Sequence, residues 1–198
     1  MEAMTTKSRE RARHTKADSH LILTVSRPEL LVDDNDLAFR HLIHDTLAFA
    51  SRLQEVRNRL GQQIGLTGTA FTALISIHHL EGNDGIGVNQ LADHLHLSGA
   101  FVTIEVNKMV NDGLVTKRTN PSDRRRVLLT VTPKAKDLLQ ALTTIQRPAN
   151  DMLLSDLSTE EFHLLRKLMA RLVVTGDKSL ALLDYLASKH QKQFINGD

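Results

Sequence analysis

The stretch Val88–Thr132 constrains the fold of this chain most strongly, because it predicts two short helices followed by a pair of strands. Leucine and alanine share one face of Val88–Leu95, which indicates a first helix. Ser98 is a good N-cap for a second helix, since its hydroxyl can satisfy an unpaired backbone amide. That helix should bury valines and a methionine spaced by four and three residues, and end at Asp112-Gly113. Two such helices joined by a tight turn predict a helix-turn-helix motif.

The residues after the second helix predict an antiparallel hairpin. Leu114–Thr119 and Val127–Val131 are β-prone, and Asn120–Asp123 has the composition of a turn. A hairpin that follows a helix-turn-helix is a wing. This wing has Arg124–Arg126 beside its tip, and the negative potential of the DNA minor groove attracts arginine. Although the formal net charge is only +2, the local clustering of cations predicts a nucleic-acid partner.

The outer face of the second helix supplies candidates for the major groove. Asparagine can hydrogen-bond adenine, threonine a base or phosphate, and lysine guanine or phosphate, while apolar groups contact the thymine methyl. Amides at the helix N-terminus can bind phosphate. Because this face has little positive charge and Glu105 lies nearby, base discrimination should lean on apolar contacts and DNA shape. The candidate DNA-binding residues are Ser98, Gly99, Ala100, Phe101, Thr103, Ile104, Asn107 and Lys108 on the helix, and Asp123, Arg124, Arg125 and Arg126 on the wing.

These motifs resemble the winged helix-turn-helix of MarR-type bacterial transcription regulators, over roughly Asp36 to Arg171. The resemblance implies a mainly α-helical fold with a small β-hairpin wing, which binds double-stranded DNA. It also implies that Asp123 pins an arginine two residues on, Arg125, in the minor groove. Many family members carry polar or basic residues where this chain has Gly99 and Ile104. The matching motifs are Leu91-Ala92, Leu97-Ser98, Gly113-Leu114-Val115 and Asp123–Thr132.

The rest of the chain predicts helices with more apolar surface than one small lobe can cover. A long helix should run from Asp36 to about Gly61. A second should start at Thr132-Pro133, and Pro148 should kink or end it. Ser158 should cap a last helix, in which Gly176 is a potential break. We therefore expect a partly disordered arm in residues 1–35, a helical dimerisation region in 36–65 and 133–198, and a DNA-binding lobe in 66–132. A two-fold dimer would place its recognition helices about 34 Å apart on a palindromic operator.

The resemblance further implies a small-molecule effector, held between the dimer helices and the DNA lobes. Arginine or histidine would hydrogen-bond an anionic group, and phenylalanine or isoleucine would cover an aromatic ring. The same aromatic side chains could equally be core and the arginines solvated. Arg27–Val32 and Leu97–Thr103 resemble a subgroup tied to aromatic-acid degradation, which implies an aromatic acid or an aryl-CoA thioester as effector. The candidate ligand-binding residues are Phe39, Arg40, His44, Arg57, Phe71, His78 and Ile145.

Other classes of function find less support in the sequence. The chain has no cysteine, which excludes disulfides, thiolate zinc sites and thiol-based sensing. His41 and His44 share a helical face, so a zinc-sensing regulator is an alternative, but we assign no metal site and no cofactor. No nucleophile motif, phosphate loop or carboxylate pair indicates an enzyme. No membrane span or signal peptide is visible, so we expect a cytoplasmic protein.

The sequence thus predicts a ligand-responsive regulator, a repressor by expectation, that binds its operator as a homodimer and is released by a small aromatic or anionic ligand. A ligand-independent winged-helix module for protein interactions is the second alternative. The run Arg124–Arg126 argues against it, because a wing that contacts only protein has no need of three adjacent guanidinium groups.

Overall fold

The computed structural model describes residues 22–195, and the side chains of residues 22–189. This part of the chain is mainly α-helical with one small three-stranded sheet, which confirms the predicted fold class. A short 3-10 helix, Pro28–Leu30, precedes the first long helix. The elements are α1 Leu37–Gln62, α2 Gly68–Leu80, β1 Ile86–Gly87, α3 Val88–Leu95, α4 Gly99–Asn111, β2 Val115–Asn120, β3 Asp123–Val131, α5 Pro133–Leu153 and α6 Thr159–Ile195.

Local capping hydrogen bonds start several helices where the sequence predicts them. The Thr67 hydroxyl accepts from the backbone amide of Ala70 at 3.2 Å and starts α2. At the start of α6, where the sequence predicts a cap at Ser158, a capping box is present: Glu161 N donates to Ser158 Oγ at 3.2 Å, and Ser158 N donates to Glu161 Oε2 at 2.8 Å. Both bonds satisfy amides that have no partner within the helix, so these starts are fixed by side chains close in sequence.

Helices α3 and α4 form the predicted helix-turn-helix. His96 ends α3 with a left-handed φ of 52°, a conformation in which histidine is enriched. The chain therefore turns within three residues, and the Ser98 hydroxyl accepts from the amide of Phe101 at 3.3 Å to start α4. Gly113, with φ of 70°, follows the C-terminus of α4, as expected of a glycine after a helix.

The wing is the hairpin β2–β3, and its turn contains only Pro121 and Ser122. The register pairs Lys117 with Leu129, and β1 adds to the other edge of β3 by pairing Ile86 with the same leucine. Strand β1 was not predicted, because two residues carry no alternating pattern. It forms because β3 offers it an unpaired edge.

Helix α2 lies at the centre of the buried core. Phe71, Leu74 and Ile77 have no exposed surface, and they pack in one cluster with Leu91 of α3 and Met109 of α4. Since a helix that is apolar around most of its surface must be covered by other elements, α2 joins α1 to the helix-turn-helix. The core thereby fixes the position of α4 and of the wing strands.

Neither of the two residues at which the sequence allows an interruption ends its helix. Helix α5 does not end at Pro148 but continues to Leu153, and α6 runs through Gly176 to Ile195. A glycine inside a helix costs only about 1 kcal/mol relative to alanine, which strong helix formers on both sides can offset. The described residues divide into two compact units, one up to Thr143 and the other from Thr144 onwards. The predicted arm, dimerisation region and lobe stay predictions, and residues 1–21 of the arm lie outside the described part.

Candidate nucleic-acid interface

The outer face of α4 is exposed, and half of the side chains along its main stripe are apolar. Ala100, Ile104, Asn107 and Asn111 follow one another at spacings of four, three and four, and all are exposed, which places them on one stripe of the helix. The opposite face contains the fully buried Val106 and its neighbours. Ile104 is 54% exposed, although a branched aliphatic side chain gains free energy on burial. We call Ala100, Ile104, Asn107 and Asn111 the outer stripe.

The polar side chains near the outer stripe are already hydrogen-bonded within the chain. Thr103 Oγ1 donates to Gly99 O at 2.7 Å, and Lys108 Nζ binds the carboxylate of Glu105 at 2.7 Å. The Glu105 carboxylate is almost buried on α4, so it neutralises the one lysine of this helix. Helix α4 therefore contributes little net positive charge, as the sequence indicates.

The start of α4 is the second part of the predicted interface. Ser98 is exposed and uses its hydroxyl as the N-cap, while Phe101, 41% exposed, lies one helical turn further on. A Cβ placed on Gly99 would meet no atom closer than Asn89 Oδ1 at 3.9 Å, so a larger residue would fit in this structure. The glycine therefore keeps the backbone at the helix start uncovered.

The wing arginines differ in their partners. Asp123 accepts a hydrogen bond from the backbone amide of Arg125 at 3.1 Å, and its carboxylate pairs with Arg126 Nε at 3.1 Å. The resemblance implies a contact of Asp123 with the Arg125 side chain, and the structure shows the backbone of Arg125 and the side chain of Arg126 instead. An aspartate at a turn commonly bonds the amide two residues on, which explains the difference. Within residues 22–189, the guanidinium groups of Arg124 and Arg125 have no hydrogen-bond or ion-pair partner.

The base of the wing is held by a buried carboxylate that the sequence did not reveal. Glu81, 8% exposed, accepts a hydrogen bond from the Val131 amide at 2.6 Å. The Glu81 carboxylate also lies 3.5 Å from Lys136 Nζ and 3.5 Å from His78 Nδ1. It thereby joins the end of α2, the last residue of β3 and the start of α5. The pairing spans 50 residues, and no local pattern signals it.

The candidate ligand-binding residues fall into separate environments. Phe71 is core, His44 is exposed on α1, Phe39 is half-buried, and Ile145 belongs to the second compact unit. Arg40 is instead part of a tight cluster at the start of α1. Its Nε binds the buried Asp36 carboxylate at 2.9 Å, and Thr24 donates to the same carboxylate from its amide and its hydroxyl at 2.7 and 2.6 Å. Hydrogen bonds from Arg40 and then Thr24 hold the pKa of Asp36 well below its usual range.

Arg57 and Phe71 are the two ligand candidates that the structure brings together. The Arg57 guanidinium carbon lies 5.9 Å from the centre of the Phe71 ring, within range of a cation–π contact. Burial lowers the pKa of Arg57 from its ordinary value, but the side chain stays charged at neutral pH. Arg57 also lines a cavity of about 360 Å³ formed by α1, α2 and the end of α3, whose walls include Leu53, Thr72 and Leu97.

Two further observations concern metals and membranes. In residues 22–189 no three histidine, cysteine or acidic side chains come close enough together to hold a metal ion, and His41 and His44 are both exposed on α1. Between residues 22 and 195, no helix combines the length and the apolar character needed to cross a membrane.

Comparisons with known proteins agree on one family. The sequence profile of the MarR family matches residues 64–126. Over 126 residues the chain is 32% identical to the transcriptional repressor MprA of Escherichia coli K12, a match that covers 62% of this chain and 71% of that protein.

Solved structures share the fold at lower identity. A MarR protein from Peptoclostridium difficile superimposes with a TM-score of 0.60 at 19% identity, covering 78% of this chain and 96% of that one. A mutant MarR from Escherichia coli complexed with operator DNA gives a TM-score of 0.57 at 20% identity, covering 69% and 94%. These structures show the shared fold, while the profile match and the 32% identity to MprA show that the chain belongs to the MarR family of transcriptional regulators.

Proposed function

We propose that this regulator is a repressor that binds a palindromic operator as a homodimer, and that a small aromatic or anionic ligand releases it. One observation carries the DNA-binding part. Arg124 and Arg125 project from the wing without partners among residues 22–189, while the core fixes the exposed stripe of α4 in the same compact unit. Two unpaired guanidinium groups on a hairpin can enter the minor groove, where the potential is negative, and the major groove is wide enough to admit an exposed helix.

The proposed contacts follow the chemistry of each element. In the major groove, Ala100, Ile104 and Phe101 would meet thymine methyl groups, and Asn107 a base edge. Ser98 and Gly99 would face a phosphate at the helix start, and Arg125 would enter the minor groove. The relative MprA is named a transcriptional repressor, which supports the sign of regulation proposed for this chain.

A second copy of the chain is the proposed partner for the long helices. Leu42 and Leu47 of α1 are 61% and 63% exposed, and Leu172 and Leu183 of α6 are 59% and 61% exposed. Monomeric soluble proteins rarely expose this much contiguous apolar surface, so its presence indicates that another protein surface covers it. Since a two-fold interface uses the same surface on both copies, the two wings would then face adjacent turns of one duplex.

Arg125→Ala tests the DNA-binding part directly. Affinity for a selected duplex should fall with salt, with a log–log slope of about −0.9 for each phosphate neutralised. The substitution should weaken binding roughly tenfold and make this slope shallower. Arg52→Ala is the matched control, because Arg52 is an exposed arginine of α1 whose guanidinium, among residues 22–189, bonds only Ala48 O of its own helix. Equal affinities of the Arg125 variant and the wild type for the duplex would show that the wing does not contact DNA as proposed.

The cavity beside Arg57 is the proposed effector site. Its volume of about 360 Å³ fits a small aromatic acid, the Arg57 guanidinium provides a partner for a carboxylate, and apolar side chains can cover a ring. Aromatic acids, their CoA thioesters and zinc should be compared by thermal shift, since a ligand of the native state raises Tm by mass action. We expect aromatic acids to raise Tm in the wild type and not in Arg57→Gln. A rise with zinc alone would favour the metal-sensing alternative.

A further inference from the structure

The side chains of Asn107 on α4 and Lys117 on β2 are hydrogen-bonded across the junction of helix and wing. Lys117 Nζ donates to Asn107 Oδ1, and both residues are exposed. An ammonium group has three donors and no acceptor. The atom of the Asn107 amide that faces Lys117 must therefore be the oxygen. The amide nitrogen, with its two hydrogens, is left to face other partners.

The backbone of the wing directs Lys117 towards α4. Val115 is 2% exposed and packs in the core. Lys117 is two residues further along the same strand, and side chains two residues apart point to the same face of a sheet. The lysine therefore leaves β2 on the side where α4 packs. Its contact with Asn107 follows from the register of the wing, which pairs Lys117 with the buried Leu129.

Asn107 occupies a central position on the outer stripe of α4. Ala100 and Ile104, which precede it on this stripe, have no hydrogen-bonding group in their side chains. Near them, the hydroxyl hydrogen of Thr103 is used for Gly99 O, and Lys108 is bound to Glu105. Asn107 is thus the first side chain along the stripe that can offer hydrogen-bond donors to a base edge.

The direction of the amide decides which base it can recognise. A free asparagine selects adenine by donating to N7 and accepting from the N6 amino group. If Lys117 holds the oxygen, it occupies one of the two lone pairs and turns the oxygen towards β2, so that the amide directs only its donors at a base edge. Guanine presents two acceptors, N7 and O6, thymine presents O4, and cytosine presents only a donor. A donor-only amide therefore favours guanine and disfavours cytosine.

We propose that Lys117 sets the base specificity of Asn107: by holding the carbonyl oxygen, it converts an adenine contact into a guanine contact at one position of each half-site. This inference rests on the proposed function, since it requires that α4 enter the major groove. A hydrogen bond from a charged donor is stronger than one between neutral groups, so the pairing persists when the amide meets a base.

Selection from a random duplex library, followed by sequencing, tests the proposal in the full-length protein. The wild type should favour guanine over adenine at one position per half-site, and Asn107→Ala should remove that preference. Lys117→Met keeps the aliphatic stem but removes the ammonium, and should shift the same position to adenine by about fivefold or more. In the double variant the position should show no preference, as in Asn107→Ala. Both residues are exposed, so the variants should keep the melting temperature of the wild type.

Arg118→Met is the matched control for the loss of charge. Arg118 is the next cation on β2, and its guanidinium donates to Asp84 O rather than to α4. This variant should bind more weakly with unchanged base preferences. A wild type that selects adenine at the position governed by Asn107, or a Lys117→Met variant with unchanged preferences, would overturn the inference and leave DNA binding intact. A wild type that binds no duplex would overturn the proposed function as well.

Discussion

At the scale of single residues, several polar side chains of α4 and the wing bond within their own structure. Lys108 neutralises Glu105, Thr103 bonds its own helix, and Arg126 pairs with Asp123. Among residues 22–189 the guanidinium groups of Arg124 and Arg125 have no such partner, and they stand out because their neighbours are paired. Which arginine of a run of three is free cannot be read from the run itself, since the choice depends on the local geometry of Asp123 at the turn.

Asp36 gives a prediction about pH. Its carboxylate is buried, and the hydrogen bonds from Arg40 and Thr24 lower its pKa in the folded state. Because this pKa is lower in the folded state, the ionised carboxylate stabilises the fold at pH values above about 3.9, the pKa of an aspartate in the unfolded chain. This stabilisation is lost as the pH falls towards the pKa of the folded state. Asp36→Asn should therefore lower Tm at pH 7. The difference in Tm between this variant and the wild type should become smaller below pH ~4.

The control for this substitution lies on the same helix. Asp45 is exposed on α1, so Asp45→Asn should change Tm little at either pH. The measurement is a melting curve for each variant between neutral and acidic pH. A constant gap between Asp36→Asn and the wild type across this range would show that the Asp36 charge does not stabilise the fold.

At the scale of elements, the sequence predicted those features that depend on neighbours a few residues apart. The N-cap of α4 at Ser98 and the capping box of Ser158 and Glu161 follow from short-range hydrogen bonds, and the strands of the wing follow from β-propensity and the turn composition between them. The contact of Glu81 with Val131, and that of Asn107 with Lys117, join different elements. Such pairs depend on how the elements pack, so the sequence alone did not reveal them.

Two helical glycines should respond in opposite ways to the same substitution. A Cβ on Gly61 would lie 2.8 Å from Leu66 O and 2.9 Å from Thr67 O, and neither backbone atom can move freely. Gly61→Ala should therefore cost about 1–3 kcal/mol of unfolding free energy through overpacking. Gly176 has no atom of residues 22–189 within 4 Å of such a Cβ, so Gly176→Ala should stabilise by about 1 kcal/mol through helix propensity.

Urea unfolding of both variants measures this contrast. Because both substitutions are glycine to alanine, their effects on the unfolded chain are similar. The difference between the two changes in unfolding free energy therefore reports how closely α1 approaches the start of α2. A Gly61→Ala variant as stable as the wild type would mean that these two helices are less closely packed than described.

At the scale of the whole molecule, the proposed binding to a palindromic operator requires two copies of the chain. Leu165 and Leu172 of α6 are 36% and 59% exposed. Replacing both by glutamine keeps helix propensity. A two-fold dimer would lose four leucine side chains, and each one that is fully buried contributes about 1.5–3 kcal/mol to the free energy of association. The dimer Kd should rise by at least roughly a hundredfold, as measured by sedimentation equilibrium.

The matched control for dimerisation is Lys167→Gln, which introduces the same residue at a polar position of α6. It should leave the association constant unchanged. Unchanged association in the double leucine variant, with its helix content intact, would assign the dimer interface to other surfaces of the chain.

The most direct test of the whole account is a hydroxyl-radical footprint of the protein on a duplex obtained by selection. If two copies bind with their wings in the minor groove, protection should appear in two symmetric halves whose centres lie about 10–10.5 base pairs, or roughly 34 Å, apart. Arg125→Ala should lose protection at the outer minor-groove positions of both halves. A single protected segment without a symmetric partner, or a footprint identical in the Arg125 variant, would contradict the account.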